Sequence, residues 1–293
     1  MVANCYNCGF KAVYKGGDIS HAFDLYLGYL GVPPDEIRQA KLEILSKKLS
    51  GDLPTSHDSD WFKPEAFKDV DLPSGSRPFS EWLSMEDPPE EFMSCLEYLI
   101  GRGRAVAENW DYHWCPGNRD ASNKKLMMEK RVIIPFTHNG RVIGYTGRYA
   151  GKPPSGITRY HNSNLPPGYL FNADVLQRRT RKFVLILEGP FDAIAVDGVS
   201  PLGSTLNKQQ IAWLQSTDAE KIVVPDREAR NQELIDEALK NGWSVSFPDW
   251  EEGIKDAADA SARYGRLYTV ASIINHKTSR ELEISVKRKL MKG

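Results

Sequence analysis

Two apolar runs in this chain each end abruptly in acids. Phe183-Val-Leu-Ile-Leu187 stops at Glu188-Gly189-Pro190-Phe191-Asp192, and Lys221-Ile-Val-Val224 stops at Pro225-Asp226-Arg227-Glu228. Several carboxylates gathered on one small patch repel each other unless cations sit among them. Hard oxygen ligands of this kind suit Mg²⁺ or Mn²⁺; Mg²⁺ keeps several waters and bridges substrate phosphates. Glu188, Asp226 and Glu228 are therefore candidate catalytic and metal-binding residues, and Gly189 would let phosphate or metal approach the backbone closely. The bland alternative is a structural α/β unit whose strand-end acids are merely solvated.

Positioning these acids requires a buried sheet. Unbroken apolar runs bounded by turn residues read as strands covered on both faces, as in a mostly parallel sheet. The working edge of such a sheet lies beyond the carboxyl ends of its strands. The helical pattern after Asp192, helices over 207–215 (capped by Thr205 or Asn207) and 233–240, and a strand over 244–247 complete this unit. Leu202-Gly203-Ser204 falls in a loop. Lys255-Asp256-Ala-Ala-Asp259 places Asp256 either against the metal patch or as the N-cap of the next helix. A helix over 270–290 follows, gathering Lys287, Arg288 and Lys289; it either packs back or docks a partner.

Upstream, Arg131-Val-Ile-Ile-Pro-Phe136 and Arg141-Val-Ile-Gly-Tyr145 flank Thr137-His138-Asn139-Gly140, a strong hairpin signal. Gly147-Arg148 and Arg159-Tyr160-His161-Asn162-Ser163 follow. Arg148 and Arg159 can fork onto phosphates, and Asn162 and Ser163 can hydrogen-bond ribose or template backbone. Lys124, Lys125, Lys130 and Arg131 add non-specific attraction for a DNA backbone, or else decorate a solvated loop. Helices are expected over 33–49, with Leu42, Ile44 and Leu45 on the apolar side, and over 88–100, with Phe92, Cys95, Leu96 and Leu99 on one stripe.

The balance of charge over the 293 residues is −1, but its distribution is uneven. Residues 51–100 carry a net −9 and residues 102–182 a net +10, which reads as an acidic spacer beside a basic working surface. Pro, Ser, Gly and Asp crowd the stretch 50–80, a linker composition. Four cysteines without a regular framework fit a reducing, cytoplasmic setting, and neither a membrane-spanning stretch nor an apolar signal core is expected.

Glu188-Gly189-x-x-Asp192 followed by Asp226-x-Glu228 resembles the Toprim fold shared by primases, topoisomerases and some nucleases. The family usually has Asp-x-Asp in the second strand, so Glu228 leaves the second metal position in doubt. The order of hairpin, Gly-x-x-Gly-Arg148, loop and Arg159-Tyr-x-Asn162-Ser163 resembles specifically the core of bacterial and phage DNA primases, as does Glu97-Tyr-Leu-Ile-Gly-Arg-Gly103. Lys255-Asp-Ala-x-Asp259 is similar to the third acidic element of phage primases. Cys5-x-x-Cys8-Gly resembles the second half of the zinc ribbon that opens such primases, a half-site for Zn²⁺ because the ion needs four ligands.

The resemblance implies an α/β fold, with a mixed α+β N-terminal subdomain of the polymerase core and a Rossmann-like, mostly parallel Toprim subdomain. It divides the chain into a partial ribbon with helices (1–47), an acidic linker (48–80), a basic subdomain (81–176), the Toprim unit (177–266) and a helical tail (267–293). The implied activity is synthesis of short RNA primers from ribonucleoside triphosphates on single-stranded DNA, by two-metal phosphoryl transfer in a bacterial host cell. With no P-loop in the sequence, a replicative helicase would be a separate partner. A Toprim nuclease, and a degenerate primase that only binds DNA or a helicase, remain as alternatives.

Overall fold

The apolar run at 183–187 forms the edge of a four-stranded sheet whose ladder explains its composition. Strands β8 (Phe183–Ile186), β9 (Glu220–Val223) and β10 (Ser244–Ser246) run parallel, and β11 (Lys277–Thr278) pairs antiparallel to β10, giving the order β11-β10-β9-β8. Helices cover the sheet, so Val184, Leu185, Ile186, Ile222 and Val223 lose all contact with solvent. That is why these strands read as continuous apolar runs rather than alternating ones. The computed structural model describes residues 2–4, 11–13, 23–24, 27–28, 30–49, 67–117, 126–166, 168–178, 180–227 and 233–290.

The chain divides into two units, Met1–Lys63 and Pro64–Gly293. In the first, β1 (Val2–Asn4) pairs antiparallel with β2 (Lys11–Val13), and a helix spans Pro34–Leu49. Among its described side chains Ile37 is buried, whereas Leu42, expected on the apolar side, is exposed. Cys5 and Cys8 lie outside the described residues.

The second unit holds both sheets. Five antiparallel strands run in the order β3 (Arg77–Pro78), β4 (His113–Trp114), β5 (Arg131–His138), β6 (Arg141–Tyr149) and β7 (Tyr160–Asn162). Asn139 and Gly140 both adopt left-handed backbone angles (φ 51° and 75°), as a two-residue hairpin turn requires, while Thr137 and His138 belong to the strand. A mixed antiparallel layer with helices beside a mostly parallel sheet is the α/β architecture expected. Packed on the five-stranded sheet is the helix Glu90–Gly101, which buries Phe92, Cys95 and Leu99.

Three expectations change. Residues 270–290 do not form one helix: Arg266–Asn275 and Glu281–Leu290 are separated by β11, which completes the sheet through Val245 and Ser246. The last helix packs back, burying Ile284 and pairing Arg288 with Asp236. The stretch 67–80 is not free linker. Phe67 is buried among the rings of His138, Tyr169 and Trp213, and the Val70 amide donates to the Val142 carbonyl.

The third correction is Arg131, which cannot reach a DNA backbone. Its side chain has no solvent exposure, and the guanidinium donates to the carbonyls of Leu126 (2.7 Å), Gly147 (2.9 Å), Arg159 (3.2 Å) and Thr158 (2.8 Å). It ties the loop before β7 to the hairpin. Arg131→Leu would leave those carbonyls unsatisfied, each at roughly 1–3 kcal/mol. Denaturant unfolding should therefore show a loss of roughly 3 kcal/mol or more. An unchanged unfolding midpoint with weakened DNA binding would instead return Arg131 to the DNA surface.

Candidate active site

A cleft of about 440 Å³ opens between the two sheets. Its acidic side is lined by Glu188, Asp192, Asp226 and Asp256, and its basic side by Arg102, Arg148 and Arg159. Glu188 follows β8 and Asp226 follows β9, so the parallel register of these strands delivers both carboxylates to the same edge. The Asp226 backbone amide favours the ionised form of the Glu188 carboxyl. The Glu188 carbonyl in turn accepts the Ser200 hydroxyl at 2.6 Å.

Asp192 sits in the helix Pro190–Val196 and is buried. Its Oδ1 accepts the Ala258 amide at 2.9 Å, pinning the start of helix Ala257–Tyr264 to the site. A Cβ at position 189 would meet Asp192 Oδ2 at 3.1 Å. The close approach that Gly189 permits is thus to this neighbouring carboxylate. Asp256 is the N-cap of helix Ala257–Tyr264, accepting the Asp259 amide at 2.7 Å, and it also lines the cleft. The two readings of Asp256 are therefore compatible: one oxygen caps, and the carboxylate still contributes negative charge.

Crowding these acids has an electrostatic cost. Burial, and then the nearby Glu188, Asp256 and Asp259, together push the Asp226 carboxyl up to about 7. Asp192 is driven well above the ordinary carboxylate range by burial, then by Asp256 and Asp226. Glu188 is raised by burial, with the Asp226 amide opposing. Among the described residues no three His, Cys, Asp or Glu side chains converge into a set that could hold an ion alone. Carboxylates that repel through space without closing a cage fit Mg²⁺, which takes one or two of them and completes its shell with water and phosphate. Glu188, Asp226 and Asp256 are the described residues that could contribute.

Arginines shape the opposite wall. The Arg148 guanidinium lies 4.9 Å from the Tyr160 ring centroid and 5.5 Å from that of Tyr98, and its Nε donates to the Tyr98 hydroxyl at 3.0 Å. Its Nη1 is buried without a protein partner, as is Nε of Arg102. Arg102 rests 5.0 Å from the Phe191 ring centroid and reaches Asp259 at 3.7 Å. The neighbouring Gly103 has φ 92° and approaches Ala262 so closely that a Cβ would lie 2.6 Å from that side chain. Arg159 is exposed at the rim.

Of the residues expected from sequence, Glu188, Asp226, Asp256, Arg148, Arg159 and Asn162 share this cleft. Ser163 does not line it; its hydroxyl accepts the Tyr145 amide at 2.9 Å and closes the strand edge. Lys130 lies 3.8 Å from Glu91, outside the cleft lining. Glu228, Lys124 and Lys125 lie outside the described residues. Arg102, Tyr98 and Thr146 were not expected. Asp192 was quoted within a motif without a role, although its spacing from Glu188 was the available signal.

No protein-family model matches the chain, and no curated protein does. Solved structures do. The chain is similar to the zinc-binding and RNA polymerase domains of the Aquifex aeolicus primase (20% identity, TM-score 0.50, 68% of this chain and 59% of that one). It is also similar to the RNA polymerase domain of Mycobacterium tuberculosis primase DnaG (17%, TM-score 0.52, 69% and 77%) and to a DNA primase domain from Pseudomonas aeruginosa (19%, TM-score 0.51, 68% and 77%). The fold is that of the DnaG primase catalytic core. The chain spans less than two thirds of the Aquifex structure's length.

The raised carboxyls carry a sign. Asp226 holds its proton to about pH 7 when folded but releases it near 3.8 when unfolded, so its ionisation opposes folding as pH rises through that window. In chelator, the melting temperature should fall between about pH 4 and about pH 7, and Asp226→Asn should reduce the fall. A pH-independent melting temperature over that range would remove the crowding argument.

Proposed function

We propose that the chain is a DNA primase of the phage type, with a Toprim unit, which builds short RNA primers from ribonucleoside triphosphates on single-stranded DNA. The observation that carries this reading is the facing of crowded carboxylates by arginines whose buried nitrogens lack protein partners, in one cleft. An unpaired buried donor is costly unless a ligand completes it, and a triphosphate offers matching oxygens. The fold likeness supports the same reading, and the Mycobacterium domain was solved in complex with double-stranded DNA.

Phosphoryl transfer asks mainly for positioning and charge neutralisation. Bound Mg²⁺, or Mn²⁺, would supply neutralisation of the triphosphate and activation of the attacking hydroxyl. Asp226 and Glu188 hold negative charge at the strand ends for that purpose, with Asp256 in support and Glu228 as the further ligand the sequence offers. Glu188 can also exchange a proton beside the incoming nucleotide, since burial raises its carboxyl toward the range useful for acid–base work. Arg148, held between two tyrosines, presents Nη1 to phosphate, and Arg102 offers its Nε from the helix side. Arg159 at the rim steadies triphosphate or template. Cys5 and Cys8 would serve a zinc ribbon completed elsewhere, and a replicative helicase would act in trans.

Glu188→Gln and Asp226→Asn should each abolish labelled-nucleotide incorporation on a mixed single-stranded template, a loss of at least about 100-fold, while leaving DNA binding within about twofold. Wild-type-like synthesis by either variant would contradict the assignment. Cleavage of DNA with Mg²⁺ and no nucleotides would favour a nuclease instead.

A further inference from the structure

Thr146 and Asn162 sit directly opposite one another on β6 and β7, and both line the cleft. Thr146 is almost wholly buried, and its hydroxyl donates to Asn162 Oδ1 at 2.6 Å. The alternative acceptor, the His161 carbonyl, lies at 3.5 Å. A hydroxyl has a single proton, so this choice fixes the side-chain amide. Were the amide reversed, the Thr146 proton would be left with only the long contact. With Oδ1 occupied, the exposed Asn162 has its Nδ2 group left for the cleft, two donors without a protein partner among the described residues. Arg148 and Arg102 on the same side are donors too. The arginines and this amide therefore face the cleft as donors.

We infer that Thr146 is a positioning residue: it locks the Asn162 amide so that Nδ2 donates to an acceptor oxygen of a bound nucleotide, either a ribose hydroxyl or a phosphate oxygen. The inference rests on the nucleotide-binding part of the proposed function. Thr146 does not touch the nucleotide. A freely rotating amide would face the oxygen with its carbonyl part of the time, and a carbonyl against a phosphate or hydroxyl oxygen lone pair repels. The lock removes that state. No signal for this pairing is visible in the motif order, because a threonine in a strand is ordinarily read as a β-former.

The test is binding of a fluorescent ribonucleoside triphosphate with Mg²⁺ to the full chain, in Thr146→Val, Thr146→Ser and wild type, with primer synthesis followed in the same samples. Loss of one oriented hydrogen bond should weaken binding by roughly tenfold in Thr146→Val. Thr146→Ser keeps the hydroxyl and should recover to within about threefold. Equal affinity in Thr146→Val and wild type overturns the inference, and so does a Thr146→Ser variant as weak as Thr146→Val, because keeping the hydroxyl would then fail to preserve binding. Repeating the titration with the 2′-deoxy and 3′-deoxy analogues separates the sources: a defect absent with one analogue assigns the hydroxyl that analogue lacks, and an equal defect with all three nucleotides assigns phosphate. Wild type that binds nucleotide but makes no primer removes the primase reading and leaves the Thr146 comparison intact. Wild type that binds no nucleotide removes both.

Discussion

Repulsion among carboxylates at one sheet edge is the constraint to which the surrounding structure responds. Parallel pairing of β8 with β9 places Glu188 and Asp226 side by side at the strand ends. The helices that cover this sheet bring Asp192 and Asp256 to the same place. Nothing in the hydrophobic packing of Val184, Leu185, Ile222 and Val223 asks for four acids there. Such a concentration opposes folding once the carboxyls ionise, and proteins retain that kind of strain where a ligand relieves it.

The relief is organised from the other sheet. The helix Glu90–Gly101 stands between the layers, and its end supplies both Tyr98 and Arg102. Tyr98 holds the Arg148 guanidinium, while Phe191, one residue before the buried Asp192, supports Arg102. Positive charge is thus held mainly by aromatic faces and one hydroxyl, with a single long contact from Arg102 to Asp259. Full pairing would neutralise the wall and leave nothing for a ligand. Arg131 represents the opposite choice, a guanidinium spent wholly on backbone carbonyls, and it holds in place the loop from which Arg159 and Tyr160 emerge.

Much of this was legible in the chain. Strands buried on both faces declare themselves by unbroken apolar runs, and Asn139-Gly140 declares its hairpin because both residues tolerate left-handed angles. Glu188 and Asp226 follow from knowing where such strands end. Less local facts were not legible. A basic residue at the start of a strand gives no sign whether it faces water or carbonyls, so the sequence does not separate Arg131, spent on carbonyls, from Arg148, which lines the cleft. The break at 276–280 lacks Pro or Gly and therefore looked helical. Arg102 enters the site only because Gly103 allows its segment to press against Ala262, a contact across more than half the chain. Ser163 follows Asn162 in sequence, yet strand alternation turns the two apart, and only Asn162 meets the cleft.

The most direct test of the central claim is a Mn²⁺ titration followed by electron paramagnetic resonance, at about pH 8, above the value of about 7 to which the Asp226 carboxyl is raised. Wild type should remove free Mn²⁺ saturably, and Asp226→Asn should bind at least about tenfold more weakly. Absence of saturable binding in wild type, or equal affinity in the two proteins, would contradict the account.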